Sequence, residues 1–333
     1  MIFFIMPHAP ILVPEIGQGE QGAADATIKS MEKIAEEIKQ AAPKTIAVIS
    51  PHGNVFSDGL CINIESELTG SFEHFHQPKL RLTVKGDFQK ALILCSGLRA
   101  AGINSLALDE TTAKKYDIST ELDYGALVPL HYILQKHTNF KLIHINIGYL
   151  PNTQMYQAGK ILAEIMGEDG VIIASGDLSH ALAESSPEKY DEMGAVYDKY
   201  IADALKSDNV IRIMMAEGEM TERAAQCAQK PLEMLAGALD GYTAKCSIYS
   251  YEAPYGVGYL TAKIQRENTD KENLINQYLQ IKKESDLKKE ASEDEYVKLA
   301  ADTIRNYVIN KSVMDIPQGL EEELYIKQNG VLL

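Results

Sequence analysis

Short unbroken runs of apolar residues punctuate this chain, and stretches with apolar groups at helical spacing fill the intervals between them. IFFIM, IAVIS and VIIAS are the clearest runs. Each has the length and the β-branched or aromatic content of a strand buried on both faces. Helical spacing predicts helices over 23–41, 88–101, Gly125 to about His137, and 153–167. Further strands are expected at Thr45–Ser50, Ser105–Leu108, KLIHINIG and GVIIASGD, with a final pair at KCSIYSYE and GVGYLTAKI. Residues 59–84 alternate in polarity, and CINIES with KLRLTVKG reads as an antiparallel pair over the sheet. Residues 187–239 read as nearly all helical, broken around Ser207–Asn209 and Gly218. Strands alternating with helices predict an α/β fold: a central mixed, largely parallel sheet flanked by helices on both faces, with a partial C-terminal appendage.

The pattern changes near residue 265. Residues 266–293 are densely charged and read as a solvated linker, partly helical, after a main domain over 1–265. From 294 to 333, YVKLAADTIRNYVIN has the spacing of an amphipathic helix, and IPQGLEEELYIKQNGVLL ends on an apolar strand. Forty residues are too few for an independent core, so this tail reads as the start of a second domain or a segment docked on the first.

Composition narrows the function. A formal net charge of -15 argues against a nucleic-acid partner, because phosphate binding needs a basic surface. The widely spaced Cys61, Cys95, Cys227 and Cys246 form no CxxC and no disulfide framework, which suits a reducing, cytoplasmic compartment. The apolar N-terminus lacks a basic leader region and is cut by Pro7, and no run approaches the ~20 residues of a membrane span.

The candidate chemistry lies at strand ends. Pro7-His8, Pro51-His52 and the Gly176–His180 turn each follow an apolar run, and ligands bind at the carboxyl ends of strands in open α/β sheets. If the strands are parallel, three imidazoles converge, which suits iron, copper or zinc. Asp177 is close enough to orient His180 as a general base, and Asp177 or Ser179 could equally cap a following helix. A third ligand is required, and Glu222, Cys227, Glu233 and Glu252 all remain open. His74 and His76 read as surface residues, and His131, His137 and His144 as structural.

PHAPILVPEIG, SPHG, LDYGALVPLHYI, SGDLSH, QCAQKPLEMLAGALDG and YEAPYGVGYLTAKI together resemble the LigB-type class III extradiol ring-cleavage dioxygenase superfamily, in its MEMO-like branch. The tail from about residue 294 resembles the opening of an AMMECR-type domain. The resemblance implies a non-haem metal at the strand ends, Fe(II) foremost with copper or zinc as alternatives. It also implies a small aromatic or diol substrate and O2. His8 and His52 match the histidine ligands, His180 the acid/base histidine, and Asp177 its companion. Cys227 stands where ring-cleaving members carry glutamate, and Tyr124 where relatives often carry an imidazole. The same resemblance allows a metallohydrolase, or a binding component working with a radical enzyme, and leaves homo-oligomerisation open.

Overall fold

The three runs that lead into His8, His52 and the Gly176–His180 turn are neighbouring parallel strands. The computed structural model describes residues 1–269, 274–292 and 295–312. In it β1 (Ile2–Met6) and β2 (Thr45–Ser50) both pair in parallel with β8 (Val171–Ser175), which lies between them. β3 (Leu60–Asn63), β6 (Ser105–Leu108), β7 (Lys141–Asn146), β9 (Tyr242–Glu252) and β10 (Tyr259–Thr269) extend the sheet in the order β6-β3-β7-β2-β8-β1-β10-β9. β3 against β7, β1 against β10 and β9 against β10 are antiparallel, and the remaining pairings are parallel.

Both faces of the sheet are covered, which is why the central strands read as unbroken apolar runs. Phe3, Ile5, Ala47, Ile49, Ile172 and Ala174 pack on one side. That side is layered by α3 (Phe88–Ala100), α6 (Asn152–Met166), α7 (Glu192–Lys206) and α10 (Gln229–Ala238), through residues such as Leu94, Leu162, Ile201 and Leu232. Phe4, Met6, Ile46, Val48 and Ile173 face the other side, against α2 (Asp25–Ala41) and α5 (Tyr124–Leu134). Each such buried side chain contributes roughly 1.5–3 kcal/mol. Short helices α1 (Pro14–Gly17), α4 (Glu110–Tyr116), α8 (Ile211–Met214) and α9 (Glu219–Arg223) complete the layers.

A pair of glycines brings α10 against α6. A Cβ on Gly159 would fall 1.7 Å from the Met234 carbonyl oxygen, and one on Gly237 would fall 1.8 Å from that of Tyr156. The two backbones therefore touch, and α10 is held at a depth that fixes Cys227, two residues before its start.

Several elements differ from the sequence expectation. CINIES does not pair with KLRLTVKG: β3 is fully buried and joins the main sheet, while β4 (Glu67–Phe72) takes β5 (Gln77–Lys85) in a separate two-stranded ribbon. No helix starts directly after the Gly176–His180 turn, because its polar groups are engaged elsewhere, and Asp191 caps α7 instead. β10 continues to Thr269 because Arg266 stacks over Tyr242 and donates to the Ala238 carbonyl. The chain divides into two compact units, Met1–Ile275 and Asn276–Leu333. The charged stretch is largely the helix α11 (Leu274–Ser292), followed by the expected amphipathic helix α12 (Glu295–Asn310). The apolar strand expected near the end of the chain lies outside the described residues. Among the described residues, no helix is long and apolar enough to cross a membrane.

Candidate metal centre

His8, His52 and Asp177 follow three neighbouring strands at the carboxyl edge of the sheet. Met6 pairs with Ser175, and Ile49 with Ala174. His8, His52 and Asp177 are thus each the second residue beyond their strand, after Pro7, Pro51 and Gly176. The register partner of the two histidines is therefore Asp177, and His180 lies three residues further along the turn.

The donor atoms converge. His8 Nε2 and His52 Nε2 are 3.0 Å apart, and Cys227 Sγ is 3.4 Å from His8 Nε2. The ligand atoms of these three residues all lie within 4.8 Å of one another. Tetrahedral coordination with metal–nitrogen bonds near 2.05 Å and metal–sulfur bonds near 2.3 Å requires donor separations of about 3.3–3.5 Å. The His8–Cys227 separation matches that spacing, and the two imidazole nitrogens stand slightly closer than it.

The hydrogen-bond network orients the rings. Ser175 Oγ donates to the Gly125 carbonyl (2.5 Å), so it accepts from His8 Nδ1 at 2.9 Å. This tautomer leaves the His8 Nε2 lone pair aimed at His52. His52 stacks on Tyr124, with ring centroids 4.3 Å apart, and the Tyr124 hydroxyl is 2.9 Å from His52 Nε2. When Tyr124 donates that hydrogen bond, neither Nε2 carries a proton, and a cation between the two nitrogens would take the place of the Tyr124 hydrogen on His52.

Burial, opposed by Asp123, holds His8 down to about 3, and burial together with His8 holds His52 down to about 4. Both rings are therefore neutral near pH 7. Burial pushes the Cys227 thiol well up, and the neighbouring Asp177 adds to it. Without a cation the sulfur keeps its proton.

Cys227 is tied to the β8 turn from both sides. Its N–H and that of Ala228 donate to the Asp177 carbonyl (3.3 and 3.1 Å), and the Asp177 N–H donates to Sγ at 3.2 Å. Gly176 permits this approach, since a Cβ there would meet Ala228 Cα at 2.5 Å.

Asp177 differs from expectation in its bonding. Its carboxylate accepts from the His8 backbone N–H at 2.9 Å, and burial pushes it up to about 6. His180 Nε2 lies 3.9 Å from Cys227 Sγ, and Asp177, His180 and Cys227 form a second group of donors within 4.8 Å. Asp177 is thus beside His180 while anchoring the His8 loop.

The other candidate ligands are used differently. Glu252 accepts from Thr27 N–H and Oγ1, both at 2.7 Å. Glu233 pairs with Lys230 at 2.9 Å, and Glu222 lines the cleft over the centre. His131 approaches Gln135, and His137 approaches the Pro43 carbonyl.

Sequence reasoning missed two supporting groups. One is Ser175. The other is Asp123, whose carboxylate accepts from His144 Nε2 (2.9 Å), Asn146 (2.7 Å), Ser50 Oγ (2.5 Å) and the Gly125 N–H (2.8 Å). Burial alone would raise this carboxyl, but these bonds hold it well below the usual carboxylate range. The signal was available: IAVIS and VIIAS both end in serine, and each serine hydroxyl reaches under the site.

Three comparisons bear on this arrangement. Residues 2–261 match the family model described as the catalytic LigB subunit of aromatic ring-opening dioxygenase. Protein CA_C1420 of Clostridium acetobutylicum is 33% identical over 335 residues, which cover 99% of this chain and 71% of that protein. The crystal structure of the uncharacterized protein JW3007 from Escherichia coli K12 has a TM-score of 0.55 at 17% identity, over 80% of this chain and all of that one, and shows the same fold. The chain belongs to the LigB family, and its strand-end donors have the chemistry and spacing of a non-haem metal site.

Proposed function

We propose that this protein is a non-haem metal-dependent oxidoreductase that uses O2 to open the ring of a small catechol-like diol. One observation carries the reading: two neutral imidazoles and one thiol converge within 4.8 Å beneath a small-molecule cleft in a LigB-family chain. His8, His52 and Cys227 are the ligands, and Fe(II) bound there supplies the redox chemistry that couples a diol to O2. The net reaction places both oxygen atoms in the product and needs no external reductant.

The remaining residues bind, orient and move protons. Ser175 holds His8 through Nδ1, and the Tyr124 ring stacks on His52. His180, partly exposed and beside Cys227, takes the proton of a diol hydroxyl and returns it to the product. Asp177 holds the His8 loop and faces His180 as its charge partner. Tyr124 acts as a hydrogen-bond donor, since burial pushes its hydroxyl well above the usual phenol range and rules it out as a base.

The thiol at Cys227 supports a second reading. A two-histidine, one-thiolate set also suits zinc and a metal-activated water, so a MEMO-like metallohydrolase uses the same residues. In that setting the tail from residue 294 begins an AMMECR-type domain, and a radical enzyme is the partner of a joint modification system.

The test is to load the full chain anaerobically with Fe(II) and add a panel of catechols, then O2. Oxygen uptake with a yellow ring-opened product is expected, and substitution of His52 or Cys227 by alanine should lower iron content and uptake together. Full iron occupancy with no uptake across the panel overturns the oxygenase reading. Hydrolytic turnover by the zinc-loaded chain, indifferent to O2, would then favour the second.

A further inference from the structure

The cleft over the centre holds about 620 Å³, the scale of a small-molecule site, with His52 and Cys227 at its floor. Its charge is unbalanced. Glu217, Glu222 and Glu233 line it together with a single cationic side chain, Lys230. That ammonium is already committed: Lys230 Nζ lies 2.9 Å from Glu233 Oε2, and the Glu233 side chain is only 3% exposed. Recruiting Lys230 to a substrate carboxylate would leave Glu233 buried without its counter-charge, which is costly. The Glu222 carboxylate, by contrast, has no hydrogen bond or ion pair among the described residues.

We propose that the cleft selects diols whose far end carries an ammonium group, that it rejects those carrying a carboxylate, and that Glu222 sets this preference. The proposal rests on the diol reading above, and follows from the charged side chains that share the cleft with His52 and Cys227. A diol anchored at His8, His52 and Cys227 points its ring substituent toward the mouth, where the carboxylates outnumber the available cations. An ammonium there gains an unpaired partner in Glu222. A carboxylate meets two exposed glutamates and an ammonium that is already neutralised.

The experiment measures dissociation constants for three matched probes on the Zn(II)-loaded full chain, where no turnover intervenes: 3,4-dihydroxybenzylamine, catechol and 3,4-dihydroxybenzoate. Expected is the order benzylamine tighter than catechol, and catechol tighter than benzoate. The benzylamine-to-benzoate preference should be about 10-fold at low salt and should shrink as salt is added. Glu222→Gln should cut it about 3-fold or more, and Glu222→Lys should reverse the order of the charged pair. Equal or tighter binding of the benzoate by the wild-type chain overturns the charge proposal while leaving the diol reading standing. An unchanged preference in both Glu222 variants overturns the role of that residue. Failure of all three probes to bind the fully metallated chain overturns both readings together.

Discussion

Ser175 Oγ sits 2.9 Å from His8 Nδ1 and gives its own proton to the Gly125 carbonyl. This one hydroxyl thus connects a strand end to a metal donor and to the first turn of α5. Partners of this kind typically contribute 10- to 100-fold in metal affinity. Ser175→Ala should therefore weaken Zn(II) binding by about that factor, read by competition with a chromogenic chelator, at a stability cost of about 1 kcal/mol. Affinity within twofold of wild type would remove Ser175 from the account.

Metal uptake should release a countable proton. His8 and His52, held down to about 3 and 4, are already neutral at pH 7, so they release none. Cys227, pushed up by burial, must lose its proton to become a ligand. Calorimetry of Zn(II) binding in buffers of different ionisation enthalpy should show about one proton released per site at pH 7, and none from Cys227→Ala. Release near zero in the wild type would mean that the sulfur is not a ligand.

Asp198 on α7 accepts from the Ser179 N–H at 2.8 Å and from the Tyr251 hydroxyl at 2.8 Å, at a site only 1% exposed. Burial outweighs these bonds and pushes the carboxyl up to about 6, against an ordinary value of 3.8. Well below pH 3.8 the group is neutral in both folded and unfolded chains, and no penalty arises. As pH rises, the unfolded chain loses its proton first, so the penalty grows and is complete above about pH 6. Asp198→Asn keeps a carbonyl acceptor for Ser179 and escapes the penalty. Its stability relative to wild type should rise by on the order of 1–3 kcal/mol between pH 4 and 7 in urea titrations. A difference that stays flat across this range would contradict the assigned shift.

Gly237→Ala tests how α10 is seated. The new methyl would collide with the Tyr156 carbonyl oxygen, a backbone atom that cannot rotate away. The variant should lose roughly 2–4 kcal/mol of stability and bind metal more weakly, because Cys227 moves with the helix. Ala236→Gly, at a buried neighbouring position with no such backbone contact to relieve, should cost only about 1 kcal/mol. Equal melting temperatures for Gly237→Ala and wild type would show that the two helices yield.

Much of this architecture was readable from periodicity, because the central strands are buried on both faces and their runs are unbroken. The edge was harder. β3 is four residues long and overlaps the alternating run CINIES, so its place beside β7 depends on tertiary packing that alternation does not encode. His8 and His52 were legible because a proline marks each strand end. Cys227 rested on resemblance, since spacing could not separate it from Glu222, Glu233 or Glu252. His180 does come to the same centre, but the residue in register with the two histidines beyond β8 is Asp177, which only the strand pairing reveals.

The donors are far apart along the chain, His52 lying 44 residues from His8 and Cys227 lying 219. During synthesis, neither histidine can be joined by the sulfur until the chain has emerged as far as Cys227. A cation captured early would be held by two imidazoles at most, and loosely. Full affinity is therefore a property of the finished domain, and chelation acts as a late clasp that selects completed molecules over partly folded ones.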